Sequence, residues 1–351
     1  MLPRLRLPRR AGRRTNLGLL LLLVVAGGTG VLAYGVGTPE PAGVVAAVHG
    51  AAGLGLLLLV PWKSTVVGRA WRLPGAHRVS APAVGLGVLV AVTVVSGVLH
   101  AAGATGPWPA SGGVTALQVH VGAAVCVLVL LVLHAWGKRQ RPRATDLGRR
   151  AFLQTGGLGL GAAALWSGTE AVLAVTGAPG ASRRSTGSAE RGTGDPAAMP
   201  VTQWFTDEVP QSAGRALTVV AGGRSSRIAV ADLDRGDTVH AVLDCTGGWY
   251  AEQEWRGVRL DALLAGLGAG IAGGGSVDVV SVTGYRRRLP LSDAPHLLLA
   301  TAAGGRPLSA GHGAPVRLVA PGRRGFWWVK WVVRVEVVDA PWWLQSPFPL
   351  Q

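Results

Sequence analysis

Five runs, residues 17–37, 43–62, 82–103, 114–136 and 151–175, consist almost wholly of Leu, Val, Ala and Gly. About 20 apolar residues are what a helix needs to cross the hydrocarbon core of a bilayer. In lipid, moreover, each backbone polar group must be bonded inside its own helix. The runs therefore predict an all-α transmembrane bundle of five helices and exclude an ordinary soluble fold for the first half of the chain. The composition agrees, because only 15% of the 351 residues are charged while 49% are hydrophobic, against about 25% charged in soluble domains.

The charges give a direction. Before residue 175 there are sixteen Lys/Arg and three Asp/Glu, so +13 of the formal +16 belongs to the apolar half. All sixteen fall in the tail Arg4 to Arg14, the segment Lys63 to Arg78, and the segment Lys138 to Arg150, while the connections 38–42 and 104–113 contain none. By the positive-inside rule the tail and both basic loops are cytoplasmic, and five crossings leave the C-terminal half on the outer face of the cell membrane. A surplus placed this way is a topology signal; nucleic-acid binding, which needs a basic face on a folded domain, is excluded as a function class. Trp62, Trp71, Trp108, Trp136 and Trp166 are expected near helix ends, where the amphipathic indole sits at the interface.

Residues 177–200, GAPGASRRSTGSAERGTGDPAAMP, are small, polar and glycine-rich without apolar periodicity, the composition of a flexible linker. Beyond them, β-branched runs such as ALTVV, DTVHAVL, SVDVVSV, APVRLVA and WVVRVEVV alternate with Gly/Pro turns, and one amphipathic helix is expected near Leu260 to Leu267. The domain plan is a cytoplasmic basic tail over 1–16 and a four-helix transmembrane domain over 17–137. A basic loop with the fifth helix follows over 138–176, the linker over 177–200, and an extracytoplasmic α+β, strand-rich domain over 201–351.

Arg149-Arg150-Ala151-Phe152-Leu153-Gln154, followed by a Gly/Ala-rich apolar stretch, resembles the twin-arginine export signal, here in an internal position. The other reading of the pair is a cationic anchor at the cytoplasmic interface. A twin-arginine signal implies the export machinery as a partner and a downstream domain that crosses the membrane already folded around its cofactor.

Two further segments carry a family resemblance. One is Asp244-Cys245-Thr246-Gly247-Gly248-Trp249 with EWRGVRLDALL after it. The other is His312-Gly313-Ala314-Pro315-Val316-Arg317, then Pro321-Gly322-Arg323-Arg324-Gly325-Phe326 and Lys330-Trp331. Together they resemble the molybdopterin-binding domain of the sulfite oxidase family over roughly 205–340. The resemblance implies a sulfite-oxidase-like domain holding Mo-molybdopterin, with Cys245 as the protein ligand to molybdenum and His312, Arg317, Gly322, Arg323, Arg324, Gly325 and Lys330 around the pterin. The chemistry is consistent: a thiolate is a soft ligand for a redox metal, and one cysteine suffices where a dithiolene supplies the other sulfurs. Glycines let backbone N–H groups approach an anion, and arginine and lysine add charge-assisted hydrogen bonds. For Arg323 and Arg324 a solvated basic turn is the competing reading. Thr246-Gly247-Gly248-Trp249 replaces the arginine-containing run of true sulfite oxidases. The Cys-x-x-x-Trp spacing is closer to the exported molybdenum subunit of protein-methionine-sulfoxide reductases, whose partner is a haem-binding membrane subunit. Tyr285, beside Arg286 to Arg288 in GYRRRLPLSD, is a candidate to face substrate, and the triple arginine reads as an exposed hairpin.

His49, His100, His120 and His134 fall in or at the ends of the apolar runs, where ionisable residues are rare and usually functional. His134 lies about 21 Å deeper than His120 at about 1.5 Å per residue, so the other three cluster on the outer side. A b-type haem needs two facing imidazoles at equal depth; His49 with His120 fits, with His100 as substitute or propionate partner. Interhelical hydrogen bonding is the bland alternative. His77 reads as polar surface.

Two functions compete. In the first the chain is a membrane-bound molybdopterin oxidoreductase that transfers an oxygen atom to or from a small or protein-bound sulfur or nitrogen oxo substrate, and exchanges electrons with a membrane carrier such as quinone. In the second the outer domain is a binding or sensory module that kept the fold without catalysis.

Overall fold

The computed structural model describes residues 12–35, 39–72, 81–104, 106, 114–137, 143–146, 148–203, 208–211, 214–233, 236–268 and 275–346. Most of the basic tail, His77, Arg78, Trp108, Lys138 and the side chain of Trp71 lie outside the described residues. The chain divides into two compact units, in the main at Ala189/Glu190.

The first unit contains α1 (Arg13–Gly35), α2 (Pro39–Arg72), α3 (Ala81–Ala101), α4 (Ala116–Gly137) and α5 (Arg149–Thr176). All five are long and apolar enough to cross a membrane. Helix α2 extends beyond the expected 43–62 on both sides and passes through Pro61. A proline lacks the N–H that a helix interior uses; just after it, Ser64 and Thr65 hydroxyls donate to the carbonyls of Pro61 and Trp62 (2.8 and 2.7 Å). Leu22, Ala52 and Leu56 form a small buried cluster with Leu19, Leu59 and Leu158 around it. Close approach of α2 and α5 depends on small residues: a Cβ on Gly55 would lie 2.9 Å from that of Ala162, and one on Gly50 would lie 2.1 Å from the Trp166 ring. Trp166 therefore packs in the middle of α5 against α2, a correction to its expected place at a helix end. Val24, Val95, Val129, Leu133 and Leu160 are exposed, so the outer surface of the helices is apolar.

At one end of the bundle Arg13 donates from two nitrogens to Asp146, Nε to Oδ1 at 3.0 Å, and Arg14 donates to Gln154 Oε1 at 2.9 Å. The Arg13 hydrogen bonds, with the Arg143 backbone N–H, hold the Asp146 carboxyl at a pKa of about 2. Helix α5 starts after Gly148 and ends at Gly177, whose φ of 63° gives the left-handed C-terminal cap.

Residues 177–200 are folded, where composition led us to expect a flexible linker. In the first unit Pro179–Ser182 is a 3-10 turn whose Gly180 N–H donates to Ala102 O (3.1 Å), and Arg183 pairs with Glu170 and lies over the Trp166 ring. In the second, Arg191 N–H donates to Tyr250 O, Gln253 Nε2 donates to Gly192 O (2.5 Å), and Met199 is buried. Glycine and serine here serve close approach rather than freedom: a Cβ on Gly180 would lie 1.8 Å from Ala101 O.

The second unit is strand-rich, as expected. In chain order its strands are β1 (Ala189–Glu190), β2 (Ala216–Ala221), β3 (Arg224–Ala229), β4 (Asp237–Cys245), β5 (Trp249–Arg259), β6 (Ser276–Ser281), β7 (Arg286–Pro290), β8 (Leu298–Ala303), β9 (Arg306–Pro307), β10 (Arg317–Val319) and β11 (Val332–Val338). One sheet runs β1-β5-β8-β10 with β4 on β5 and β9 on β8; the other runs β3-β2-β11-β6-β7, antiparallel except for β2 with β11. The expected amphipathic helix is α6 (Leu260–Ala265), with Leu260, Leu263 and Leu264 buried. Leu217, Val219, Val279 and Val335 from one sheet and Leu298, Leu299 and Leu318 from the other join α6 in a single core. Strand β5 alternates buried and exposed side chains, the pattern of a strand with one covered face. Gly257 lets it pass β8, since a Cβ there would meet Leu299 O at 2.0 Å.

Candidate active site

Cys245 is the last residue of β4 and pairs with Trp249, the first of β5, so Thr246-Gly247-Gly248 is the turn between them. Gly248 takes a φ of 86°, which favours glycine. The Gly247 N–H points to Cys245 Sγ at 3.4 Å, a donor aimed where thiolate charge resides. Cys245 lines a cavity with Tyr285, His312, Arg317, Gly325 and Lys330. Six of the sequence candidates thus converge from β4, the β6–β7 connection and the segments around β10.

Arg317 opens β10 and is 2% exposed, stacked near Trp255 and Trp328 (5.2 and 5.7 Å to the ring centroids). One of its N–H groups donates to His312 O at 3.1 Å, while its buried Nε has no partner. Burial pushes the guanidinium down to a pKa of about 10, opposed by the neighbouring Cys245 sulfur. Gly313, at φ 105°, holds the preceding turn against it: a Cβ would meet those of Arg317 and Lys330 at 3.0 and 3.2 Å. His312 is buried with both ring nitrogens engaged, Nδ1 with Ser309 Oγ (2.8 Å) and Nε2 with Met199 O (3.1 Å). The tautomer that satisfies both is Nε2–H donating to the carbonyl while Nδ1 accepts from the hydroxyl. Burial lowers the His312 pKa, and the charges of Arg317 and Lys330 lower it further. The Lys330 ammonium donates to Thr202 O and Gly311 O (2.9 and 2.7 Å).

The basic turn divides differently from expectation. Arg324 is 4% exposed and forms a buried ion pair with Asp244 at 2.5 Å, with a β-bridge joining the same two residues. Arg323 pairs with Asp293 and lies over the Trp327 ring (4.8 Å). Arg324 is no solvated charge, Arg323 is paired and half-buried, and neither lines the Cys245 cavity. Gly322, at φ 76° with open space around it, supplies the turn, whereas Gly325 packs on the cysteine itself: a Cβ would meet Cys245 Cα at 2.9 Å. Tyr285 is buried and its hydroxyl donates to Phe326 O, so it braces the turn that covers Cys245. The triple arginine does lie in a hairpin, β6–β7, with Arg286 exposed, but the next two are not surface charges. Arg287 is buried over Trp327 (4.2 Å), and Arg288 donates Nε and Nη2 to Asp278 at 2.7 and 2.8 Å.

Sequence reasoning passed over Asp244, Ser309 and the strap Met199–Gln203, whose carbonyls hold His312 and Lys330. Asp244 carried a signal, being a charge between the apolar run Ala241-Val242-Leu243 and the cysteine. The strap carried none, because its contribution is main-chain.

This cavity suits an anionic pterin cofactor. A buried guanidinium with an unpartnered nitrogen, an ammonium bonded to two carbonyls, and a sulfur with an N–H donor are groups that a phosphorylated dithiolene can use. Among the described residues no cluster of three or more His, Cys, Asp or Glu forms a metal cage, and a ligand set completed by a dithiolene needs none.

In the helical unit the His49 and His120 rings meet edge to face with centroids 5.8 Å apart. His49 Nδ1 lies 3.0 Å from Ala26 O, and His120 Nδ1 lies 2.8 Å from Thr93 O. A Cβ on Gly97 would meet the His120 ring at 2.9 Å, so that glycine makes room for it. His100 has a buried Nδ1 without a partner. His134 lies in the last turn of α4, far along the helix from His120.

Comparison with known proteins falls on the second unit. Residues 216–344 match the family described as oxidoreductase molybdopterin binding domain. A nitrate reductase [NAD(P)H] of Hordeum vulgare is 37% identical over 98 residues, 24% of this chain and 11% of that protein; the chain thus spans about a tenth of that relative's length. The sulfane dehydrogenase SoxCD of Paracoccus pantotrophus is 26% identical over 37% of this chain and 40% of its own, with a TM-score of 0.35. The C-terminal part of the chain is an oxidoreductase molybdopterin-binding domain of the sulfite-oxidase-like kind.

Proposed function

We propose that the chain is a membrane-embedded molybdenum oxidoreductase whose C-terminal unit works on the outer face and whose helices carry electrons to or from it. The observation that supports it most is Arg317: a buried cation with an unpartnered nitrogen beside Cys245, a costly arrangement unless an anion completes it. When bound, Mo-molybdopterin supplies oxygen-atom transfer and a two-electron redox centre. The protein's own part is to hold and exclude. Cys245 presents its sulfur under the Gly247 N–H, Arg317 and Lys330 supply positive charge, and His312 stays neutral between Ser309 and Met199. Trp249, Trp328 and Phe326 keep water off the cavity wall. The substrate is an oxo compound of sulfur or nitrogen, and the sulfoxide-reductase-like spacing Cys-x-x-x-Trp favours a sulfoxide.

In the helical unit a haem b between His49 and His120 is the proposed electron carrier, exchanging with a membrane quinone. Support comes from their Nδ1 atoms, each tied to a backbone carbonyl of a neighbouring helix. That bond fixes the tautomer and leaves Nε2 as the basic nitrogen, the arrangement of metal-ligating histidines. Export by the twin-arginine route is proposed from RRAFLQ, whose Arg149 and Arg150 are exposed at the start of α5. The decisive experiment is metal analysis of the purified protein and its Cys245→Ser variant. Near-stoichiometric molybdenum in the wild type, with sulfur ligation by X-ray absorption that loses one thiolate in the variant and abolished turnover, supports the proposal. A wild type without molybdenum, or an active Cys245→Ser, overturns it.

A further inference from the structure

Among the described residues from Glu190 onward, the large apolar side chains left exposed are Val201, Val282 and three in a row, Trp342, Trp343 and Leu344, at 41%, 65% and 59% exposure. The three form a turn after β11 that is fixed rather than frayed. Leu344 N–H donates to Pro341 O (3.0 Å), and Gln345 exchanges hydrogen bonds with the Arg288 backbone in both directions (2.9 and 2.7 Å). The Arg288 and Arg287 side chains donate to Leu344 O and Ser346 O (3.3 and 3.1 Å). Arg323 lies 5.9 Å from the Trp342 ring. Holding two indoles and a leucine rigidly in water has no folding benefit, because none of the three is in the core. At their base Arg288 is paired with Asp278, Arg323 with Asp293, and Arg287 is buried against Phe326 and Trp327, so what the turn presents outward is apolar.

We infer that this turn is a membrane-surface anchor, with Trp342, Trp343 and Leu344 seated at the headgroup level of a bilayer. Trp prefers that level because its ring is apolar and its N–H polar. The inference rests on the reading that the five helices span a membrane: a domain tethered to the bilayer meets it at high effective concentration, so a small patch suffices. A lipid surface is favoured over a folded protein partner because a patch of three side chains is far below the area of about 1,200 Å² or more that stable protein interfaces bury.

The test uses the full chain reconstituted in vesicles of phosphatidylcholine with phosphatidylglycerol, with and without bromine on the upper acyl chain, comparing wild type with Trp343→Ser. The residue is exposed, so the variant folds; Trp342→Ser provides an independent second variant. Resistance of the reconstituted chain to carbonate extraction establishes membrane insertion on its own, and its absence overturns the membrane reading and this inference together. With insertion established, the inference expects the wild-type-minus-variant emission to be blue-shifted and quenched about two-fold or more by the brominated lipid. Difference emission that ignores bromine overturns the anchor alone, whether red-shifted, as for indole in water, or blue-shifted, as for indole covered by protein.

Discussion

Replacing Asp244 with Asn keeps the shape of the residue before Cys245 and removes its charge. Both side chains of the Asp244–Arg324 pair are 5% exposed, so the Arg324 guanidinium then stays buried without its carboxylate. Breaking a buried pair from one side costs about 3–5 kcal/mol, a third or more of the stability of many domains. For a unit the size of Glu190–Gln351, each kcal/mol moves the midpoint by about 2–4 °C. The expected loss is therefore about 6–20 °C. Near-UV circular dichroism of the full chain in detergent reads it, because the edge-to-face pair of Trp255 and Trp328, at 5.4 Å, reports packing in this unit. The double variant Asp244→Leu with Arg324→Met removes both charges and is expected to recover most of the loss, since apolar replacements of buried pairs are often neutral. A single variant that melts within about 2 °C of wild type, or a double variant no better than the single, refutes the claim that the pair's charge, rather than its shape, holds the cysteine turn.

Three other outcomes follow from the same geometry. Alanine at His49 or at His120 is expected to remove a low-spin haem Soret band from purified membranes while His134→Ala leaves it; a wild type without haem ends the electron-transfer reading. Arg149→Lys with Arg150→Lys keeps the charge but loses the guanidinium pair, so residues 200–351 are expected to stay protected from external protease; normal access would make the pair an interface anchor only. His312 has a folded pKa below its unfolded one. The unfolded chain therefore binds its proton first, and the contribution is full above the unfolded pKa of about 6.5 and lost as pH falls from there through the folded value. Melting temperatures of wild type are expected to fall from pH 7.5 to pH 5 more steeply than those of His312→Gln, and parallel curves would rule the histidine out as their source.

The long elements and the cysteine turn were legible because their signals are local. Apolar length marks the five helices, β-branched runs mark β2, β4, β6 and β11, and two glycines after Cys245 mark the turn into β5. The hairpin holding β7 was legible, but the burial of Arg287 and the pairing of Arg288 were not, because both look solvent-bound until Trp327 and Asp278 appear beside them. The two arginines of the PGRRG turn were legible as charges and illegible as partners: Asp244 and Asp293 are 80 and 30 residues away in the chain. Residues 177–200 misled for a related reason. Small polar composition marks freedom only when nothing packs against it, and here Ala101, Ala102 and Gln253 do.

The strap Met199–Gln203 decides where the second unit can be cut free. A soluble piece beginning at residue 201, the boundary that composition draws, loses the Met199 carbonyl that His312 Nε2 needs and the Gly192 carbonyl that receives Gln253 Nε2. Two buried donors would be stranded at about 1–3 kcal/mol each, with the buried Met199 side chain gone from the core. A piece beginning at Glu190 keeps all three. The stretch that looks most dispensable in the sequence is thus the N-terminal wall of the cavity, and fragments that omit it are expected to misreport the affinity of the site for whatever fills it.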